Sequence, residues 1–178
     1  PPDQGGELKL VYPTTYMPPT ITQAFGGAHG GIDLRSSWAQ WQSEILAAYA
    51  GEVVIAGYNA TFGYQVLTRT TLPDGRRMDL RYAHMLEGLY VAVGDQVTAG
   101  QKLGRAGSTG TSTGDHLHFS VNLDGKYVDP APLIDWPDAP TPPPPWPNRW
   151  GRRWAGGAWA RTAGRPWPCS SSPWRPRS

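Results

Sequence analysis

The chain has 178 residues, enough for one ordinary domain with a buried core and an additional segment. Its formal net charge of +2 conceals an uneven distribution. Residues 1–135 carry nine Lys/Arg and thirteen Asp/Glu, whereas residues 136–178 carry seven Arg and one acid. This acidic body argues against nucleic acid as a partner. The absence of any run of about 18 apolar residues argues against a transmembrane segment.

From Thr20 to Asp135, short runs rich in β-branched residues alternate with glycine, which predicts an all-β domain with long loops. Pro73-Asp74-Gly75 predicts a hairpin turn, and residues 38–44 contain the one candidate helical turn. In chain order, the predicted strands are a short one from Ile32, then residues 52–56, 64–69, 78–84, 90–93, 102–104, 118–122 and 126–128.

Two short strands with Gly-containing turns over residues 93–104 resemble half of a barrel-sandwich hybrid domain, as in biotinyl and lipoyl carriers. Carriers and enzymes share this architecture. No lysine occupies the turn tip where a carrier bears its prosthetic group, so the sequence does not favour a carrier.

Composition predicts three segments: an N-terminal extension (1–19), the β domain (20–135) and a tail (136–178) rich in Pro, Trp and Arg. The proline run 142–145 is typical of an extended spacer. The rest of the tail fits either a disordered extension, which we favour, or a segment that contacts anionic wall polymer or a membrane surface.

The single cysteine, Cys169, excludes an intramolecular disulfide. The chain starts at Pro1 without a methionine or signal peptide, which indicates prior removal of a segment or a longer parent protein.

All four histidines lie in short motifs: HGGID, YAHM and HLHF. In a strand, His116 and His118 would point to the same face about 6.5–7 Å apart. In HGGID, Gly30 and Gly31 favour a turn into a strand over a helix, so that His29 and Asp33 can reach one ion.

Two histidines and one carboxylate form a known catalytic zinc set, which leaves one coordination position for water. Zinc lowers the pKa of bound water to about 7. The remaining histidines are then candidates for acid/base and oxyanion-stabilising roles. His84 can join them only if the sheet topology brings it to the same groove.

These motifs, together with VGDQVTAGQKLG and STGTSTGDHLHF, resemble the M23 (lysostaphin/LytM-type) zinc metallopeptidases of bacterial cell walls over residues 21–133. The resemblance implies one Zn²⁺ per chain, held by His29, Asp33 and His118, with His84 and His116 as the catalytic pair. It also implies a β-sheet groove, an endopeptidase activity on the cross-bridge or stem peptides of peptidoglycan, and a location outside the cell or in the wall, whether secreted or phage-delivered as an endolysin.

Two features depart from the family pattern. Some relatives place a tyrosine where this chain has Thr20, a role for which Tyr16 and Tyr82 are weak substitutes. Residues 36–46, with Trp38 and Trp41, are longer and more aromatic than usual. They could wall the groove or, as we slightly favour, cap the sheet.

Two alternative functions remain open at this stage. A binding or hydrolase-activator protein on the same fold usually loses metal ligands, and this chain keeps all of them. A histidine phosphocarrier shares the architecture but does not need the aspartate at position 33.

Overall fold

The computed structural model describes residues 7–38 and 41–138, except for the side chains of Trp38 and Trp41. Within these ranges the regular structure is almost entirely β, as predicted, with one 3₁₀ turn (Ala131–Leu133). In chain order, the strands are β1 (Leu10–Val11), β2 (Ile21–Gln23), β3 (Ile32–Arg35), β4 (Ser37–Trp38), β5 (Trp41–Gln42), β6 (Glu44–Leu46), β7 (Gly51–Asn59), β8 (Gly63–Thr71), β9 (Arg77–Met85), β10 (Gln96–Val97), β11 (Lys102–Arg105), β12 (His116–Leu123), β13 (Lys126–Val128) and β14 (Ile134–Asp135).

One antiparallel sheet dominates the fold, with the strand order β10-β7-β8-β9-β12-β3-β2. The short strand β13 pairs with the second half of β12. Strand β12 is therefore central, because it contacts β9 along its length and β3 at its histidine-bearing end. This order brings the first histidine motif next to the last, although they are far apart in the chain.

The turn between β8 and β9 forms as predicted at Pro73-Asp74-Gly75. Gly75 has a φ of 87°, a conformation that glycine adopts at little cost. Its N–H donates to the Leu72 carbonyl at 2.9 Å, and the Asp74 carboxylate accepts from the Arg76 N–H at 3.0 Å. The turn fixes the register in which β9 carries His84 toward the centre of the sheet.

Two local predictions are wrong. The described residues within 38–44 form no helical turn, because β4 pairs with β5 and β6 pairs with β11. Residues 90–93 form no strand, because the chain turns at Gly94 (φ 94°), where the Asp95 carboxylate accepts from the Ala92 N–H at 2.8 Å. Strand pairing resumes only at β10.

The core lies behind the sheet and includes residues from the predicted N-terminal extension. Leu10 is fully buried and pairs with Ile134 where β1 and β14 run in parallel. Tyr12 and Tyr16 are also buried. The described residues belong to a compact unit spanning Pro1–Pro140. A second unit, Thr141–Ser178, and with it nearly all of the predicted tail, lies outside the described residues.

A search of the described residues for a helix that is long and apolar enough to span a bilayer found none. The barrel-sandwich hybrid arrangement stays a prediction.

Candidate metal centre

The pairing of β12 with β3 places the histidines and the aspartate on one face. His118 lies directly opposite Asp33, and Leu117, between the two histidines of the strand, is fully buried on the core side. His116 and His118 therefore share the open face, as the strand period predicts.

Local glycines let the HGGID segment reach this position. A Cβ on Gly31 would overlap the Phe119 carbonyl, so only glycine allows the segment to lie this close to β12. Just before it, Gly26 and His29 exchange backbone hydrogen bonds of 3.1 and 3.0 Å. This turn directs the His29 ring toward Asp33.

Three potential ligand atoms converge at the centre of the open face. His29 Nε2 lies 3.1 Å from Asp33 Oδ1 and 3.0 Å from His118 Nδ1, and the remaining pair is 2.9 Å apart. The three side chains are 11–17% exposed, so a ligand can reach them from the groove. These residues form the metal-ligand group found among the described residues.

The hydrogen bonds of His29 fit a role as a metal ligand. Its Nδ1 lies 3.0 Å from the Ala24 carbonyl, which can only accept, so Nδ1 carries the proton and Nε2 keeps its lone pair. A lone pair, a carboxylate oxygen and a second imidazole nitrogen thus point at one another. A divalent cation satisfies such a set, and zinc prefers these ligand types.

His84 lies in the same groove, at the end of β9. It is buried and has a φ of 60°, which is uncommon for a non-glycine residue. Its Nδ1 donates to the Thr109 carbonyl at 2.8 Å, and its backbone N–H donates to the Phe62 carbonyl at 2.8 Å. The His84 ring centroid lies 4.8 Å from that of His116 and 6.0 Å from that of His118.

His116 is held in the same manner. Its Nδ1 donates to the Gly114 carbonyl at 2.7 Å, which leaves Nε2 as the free nitrogen. That nitrogen lies 3.6 Å from Asp33 Oδ2, too far for a hydrogen bond. The structure therefore places all five predicted site residues in one groove.

Burial and charge act in opposite directions on the site carboxylate. Burial raises the pKa of Asp33, but the hydrogen bond from His118 and the electrostatic influence of His116, His118 and His29 outweigh it and hold the pKa below its ordinary value. Asp33 is therefore ionised at neutral pH. For His84, burial lowers the pKa and outweighs the hydrogen bond to Thr109, so its neutral form is favoured.

The groove has a volume of about 670 Å³ and includes residues that the sequence analysis missed. The ring centroids of Phe62 and His118 are 6.1 Å apart. The Tyr127 ring lies against Gly30 on one wall of the groove. No motif marks either residue. Periodicity on β13 indicates the face of Tyr127 only once the β12–β13 pairing is known.

Neither tyrosine considered as a substitute for Thr20 lines this groove. The Tyr82 hydroxyl is buried and accepts from the Ala48 N–H at 2.7 Å, and Tyr16 is buried in the core region. Among the described residues, Tyr127 is the tyrosine that lines the groove. The side chains of Trp38 and Trp41 are outside the described part of the chain, so their suggested role as a groove wall stays a prediction.

Comparisons with known proteins agree with this geometry. The sequence profile described as Peptidase family M23 matches residues 27–130. The murein hydrolase activator NlpD of Escherichia coli is 38% identical over 113 residues, which are 62% of this chain and 28% of that protein. The match therefore spans little more than a quarter of this curated relative.

Two solved structures are similar. The catalytic domain of the antimicrobial peptidase lysostaphin from Staphylococcus simulans is 33% identical with a TM-score of 0.50, over 70% of this chain and 90% of that one. A zinc-containing peptidase from Vibrio cholerae is 25% identical with a TM-score of 0.57, over 66% of this chain and 37% of that one. The chain belongs to peptidase family M23.

Proposed function

We propose that the protein is a zinc-dependent endopeptidase that hydrolyses peptide bonds in the cross-bridges or stem peptides of bacterial peptidoglycan. The observation that carries this proposal is the convergence of His29, Asp33 and His118 in an open groove that also holds two further imidazoles. A purely structural metal site would be closed and would have no need of the groove.

One Zn²⁺ held by these three residues would act as a Lewis acid and would lower the pKa of water. The chain's own acid/base groups are then His84 and His116. Each donates Nδ1–H to a backbone carbonyl, so each neutral ring keeps its proton-accepting lone pair at Nε2. Either ring can accept a proton from water and return it to the leaving amine.

Burial lowers the pKa of His84 and favours its neutral form. His116 Nε2 lies 3.6 Å from Asp33 Oδ2, beside the metal-ligand group. We assign His84 and His116 as the catalytic pair. The open groove admits an extended peptide beside them.

The substrate and location follow from the family and its named members. The similar proteins include a murein hydrolase activator and an antimicrobial peptidase, so we place this chain at the cell wall or outside the cell. A contact between the tail and anionic wall polymer or a membrane surface stays a prediction.

A second candidate function is activation of a separate murein hydrolase, favoured by the 38% identity to a protein named for that role. An activator has no need of a metal site or of paired imidazoles. The complete set of five side chains in this groove therefore favours the enzyme.

The test measures bound zinc and the loss of turbidity of purified cell walls. We expect one zinc per chain and a falling turbidity, both lost in His118→Ala, whereas His116→Ala should keep zinc and lose activity. An activator would leave walls intact alone and would accelerate an added murein hydrolase equally well in both variants. That result would contradict the proposal.

A further inference from the structure

Arg81 lies on the same open face as the metal-ligand group. It is directly opposite Ser120, as Ala83 is opposite His118, in the pairing of β9 with β12. Directly opposed residues of an antiparallel pair share a face, and residues two apart along a strand are about 6.5–7 Å apart. Arg81 therefore lies about 6.5–7 Å along the strands from the Ala83–His118 pair.

The guanidinium of Arg81 is held in place by uncharged groups. It donates to the Gln65 side-chain carbonyl and lies over the Phe62 ring at 4.3 Å from the ring centroid. The Arg81 Nε is buried and has no hydrogen-bond partner among the described residues. A buried donor without a partner is costly, so the surrounding groups leave the guanidinium incompletely satisfied.

The charge of Arg81 is not matched within residues 7–38 and 41–138, where no ion pair includes it. Asp79, two residues along the same strand, accepts two hydrogen bonds of 2.8 Å from Arg69 instead. Burial lowers the pKa of Arg81, and the weaker influence of Tyr127 and Asp79 does not offset this. A half-buried guanidinium keeps its proton even so.

A small cavity of about 140 Å³ adjoins this guanidinium. Its lining includes Arg81, Asn122 and Arg77, and it shares Ser120 and Tyr127 with the groove. The lining offers hydroxyl, amide and guanidinium donors, together with the Asp79 carboxylate, which is paired with Arg69. A ligand in the groove can therefore extend into this cavity without leaving the sheet surface.

We propose that Arg81 binds a free carboxylate of the peptide substrate, about two residues from the bond that is cut. A guanidinium presents paired N–H donors that match the two oxygens of a carboxylate. Stem peptides carry such carboxylates, whereas glycine cross-bridges do not. The site therefore selects anionic stem peptides. This inference rests on the proposed function for its substrate class.

The kinetic test compares cross-linked muropeptides with free carboxylates and the same muropeptides with the carboxylates amidated. For the zinc-loaded protein, amidation should raise KM about 10- to 100-fold, the range for a hydrogen bond to a charged group, with kcat little changed. Amidating only the C-terminal carboxylate, or only the side-chain carboxylates, identifies which group is bound.

Arg81→Gln should abolish the difference in KM between free and amidated muropeptides. Arg81→Lys should retain part of that difference, because lysine keeps the positive charge but lacks the paired N–H donors of the guanidinium. Arg76→Gln is the matched control, since it removes one arginine of the same hairpin that pairs with Asp74 outside the groove. Equal KM values for free and amidated muropeptides would overturn the inference and leave the peptidase proposal intact.

A binding readout separates the two proposals. In ¹⁵N-labelled protein, the Arg81 Nε–H resonance, identified by its loss in Arg81→Gln, should shift when the free-carboxylate muropeptide is added. The amidated muropeptide should leave it unmoved. A shift without hydrolysis would support carboxylate binding while contradicting the peptidase proposal. The same shift with both muropeptides, or none with either, would overturn the inference.

Discussion

Three backbone carbonyls determine how the histidine rings present their nitrogens. The Nδ1 atoms of His29, His84 and His116 lie 2.7–3.0 Å from carbonyl oxygens of Ala24, Thr109 and Gly114. Because a carbonyl only accepts, each ring must carry its proton on Nδ1 and present Nε2 to the groove. In the proposed function, metal binding and proton transfer would thus rely on loop backbone as much as on the rings.

The carboxylate of Asp33 should be essential for metal affinity. Asp33→Asn keeps the shape but removes the charge that holds His29 and His118 together. Loss of an outer partner costs 10–100-fold in affinity, so loss of a ligand should cost more than about 100-fold. Competition with a chelator of known zinc affinity measures this. Unchanged affinity would show that Asp33 is not a ligand.

The buried His84 should make the metal-free fold less stable in mild acid. Its folded-state pKa lies below the ordinary value of 6.5, so the unfolded chain binds the extra proton first as pH falls. The free energy of unfolding should therefore decrease from about pH 6.5 downward.

NMR titration of the ring and urea unfolding at several pH values check this expectation. His84→Gln should remove this part of the slope. A His84 pKa at or above 6.5 in the folded protein would contradict the expectation.

Sequence alone predicted the residues whose position depends on local pattern. The period of a strand put His116 and His118 on one face, and glycines in HGGID indicated a turn before Asp33. Arg81 and Phe62 were missed because their meaning depends on pairing across strands. Arg81 reaches the open face only through its register with Ser120, which no local pattern encodes.

At the scale of elements, the loop from Gly107 to Gly114 is fastened to the β7–β8 hairpin through Thr109. The Thr109 hydroxyl donates to the Met85 carbonyl at 2.6 Å and accepts from the Tyr64 N–H at 2.9 Å. A Cβ on Gly63 would overlap Thr109, so the two segments are in direct contact. The carbonyl of the same residue orients His84.

Thr109→Val should therefore loosen His84 without removing a metal ligand. Two backbone groups lose their partner, which should cost about 1–3 kcal/mol of unfolding free energy. Misplacement of the ring should lower kcat about 10- to 100-fold. Zinc content should be unchanged. Denaturant unfolding, metal analysis and kinetics measure the three effects.

Thr109→Ser is the matched control, since it keeps the hydroxyl and should behave like the parent protein. A Thr109→Val variant with normal kcat would show that the loop does not position His84.

Elements dictated by alternation and turn chemistry were predictable, and elements formed by tertiary pairing were not. The β7, β8 and β9 strands and the turn at Gly75 follow from sequence. The helical turn predicted within residues 38–44 has no counterpart among the described residues there. Pairing with β4 and β11 makes β5 and β6 strands, and no local pattern encodes that pairing.

At the scale of the whole molecule, the N-terminal segment closes the core instead of lying outside it. Leu10 is fully buried beside Ile134, whereas its neighbour Val11 is 41% exposed. Composition could not show this, because two-residue strands leave no detectable pattern. The bounds of the predicted extension (1–19) stay a prediction, and part of that segment, including Leu10, lies in the core.

Leu10→Ala should destabilise the fold by about 2–5 kcal/mol, the range for truncating a buried leucine. Val11→Ala, one residue away on the exposed side, should change stability by less than about 0.5 kcal/mol. Urea unfolding of both variants tests this. Equal effects would show that β1 is not part of the cooperative core.

The most direct test of peptide-bond hydrolysis is mass spectrometry of the fragments released from purified peptidoglycan in ¹⁸O-labelled water. We predict that the zinc-loaded protein releases peptides with a new amino terminus and one ¹⁸O in the new carboxyl group. The zinc-retaining His116→Ala variant should release none. Fragments without label, the same fragments from the variant, or no fragments at all would contradict the account.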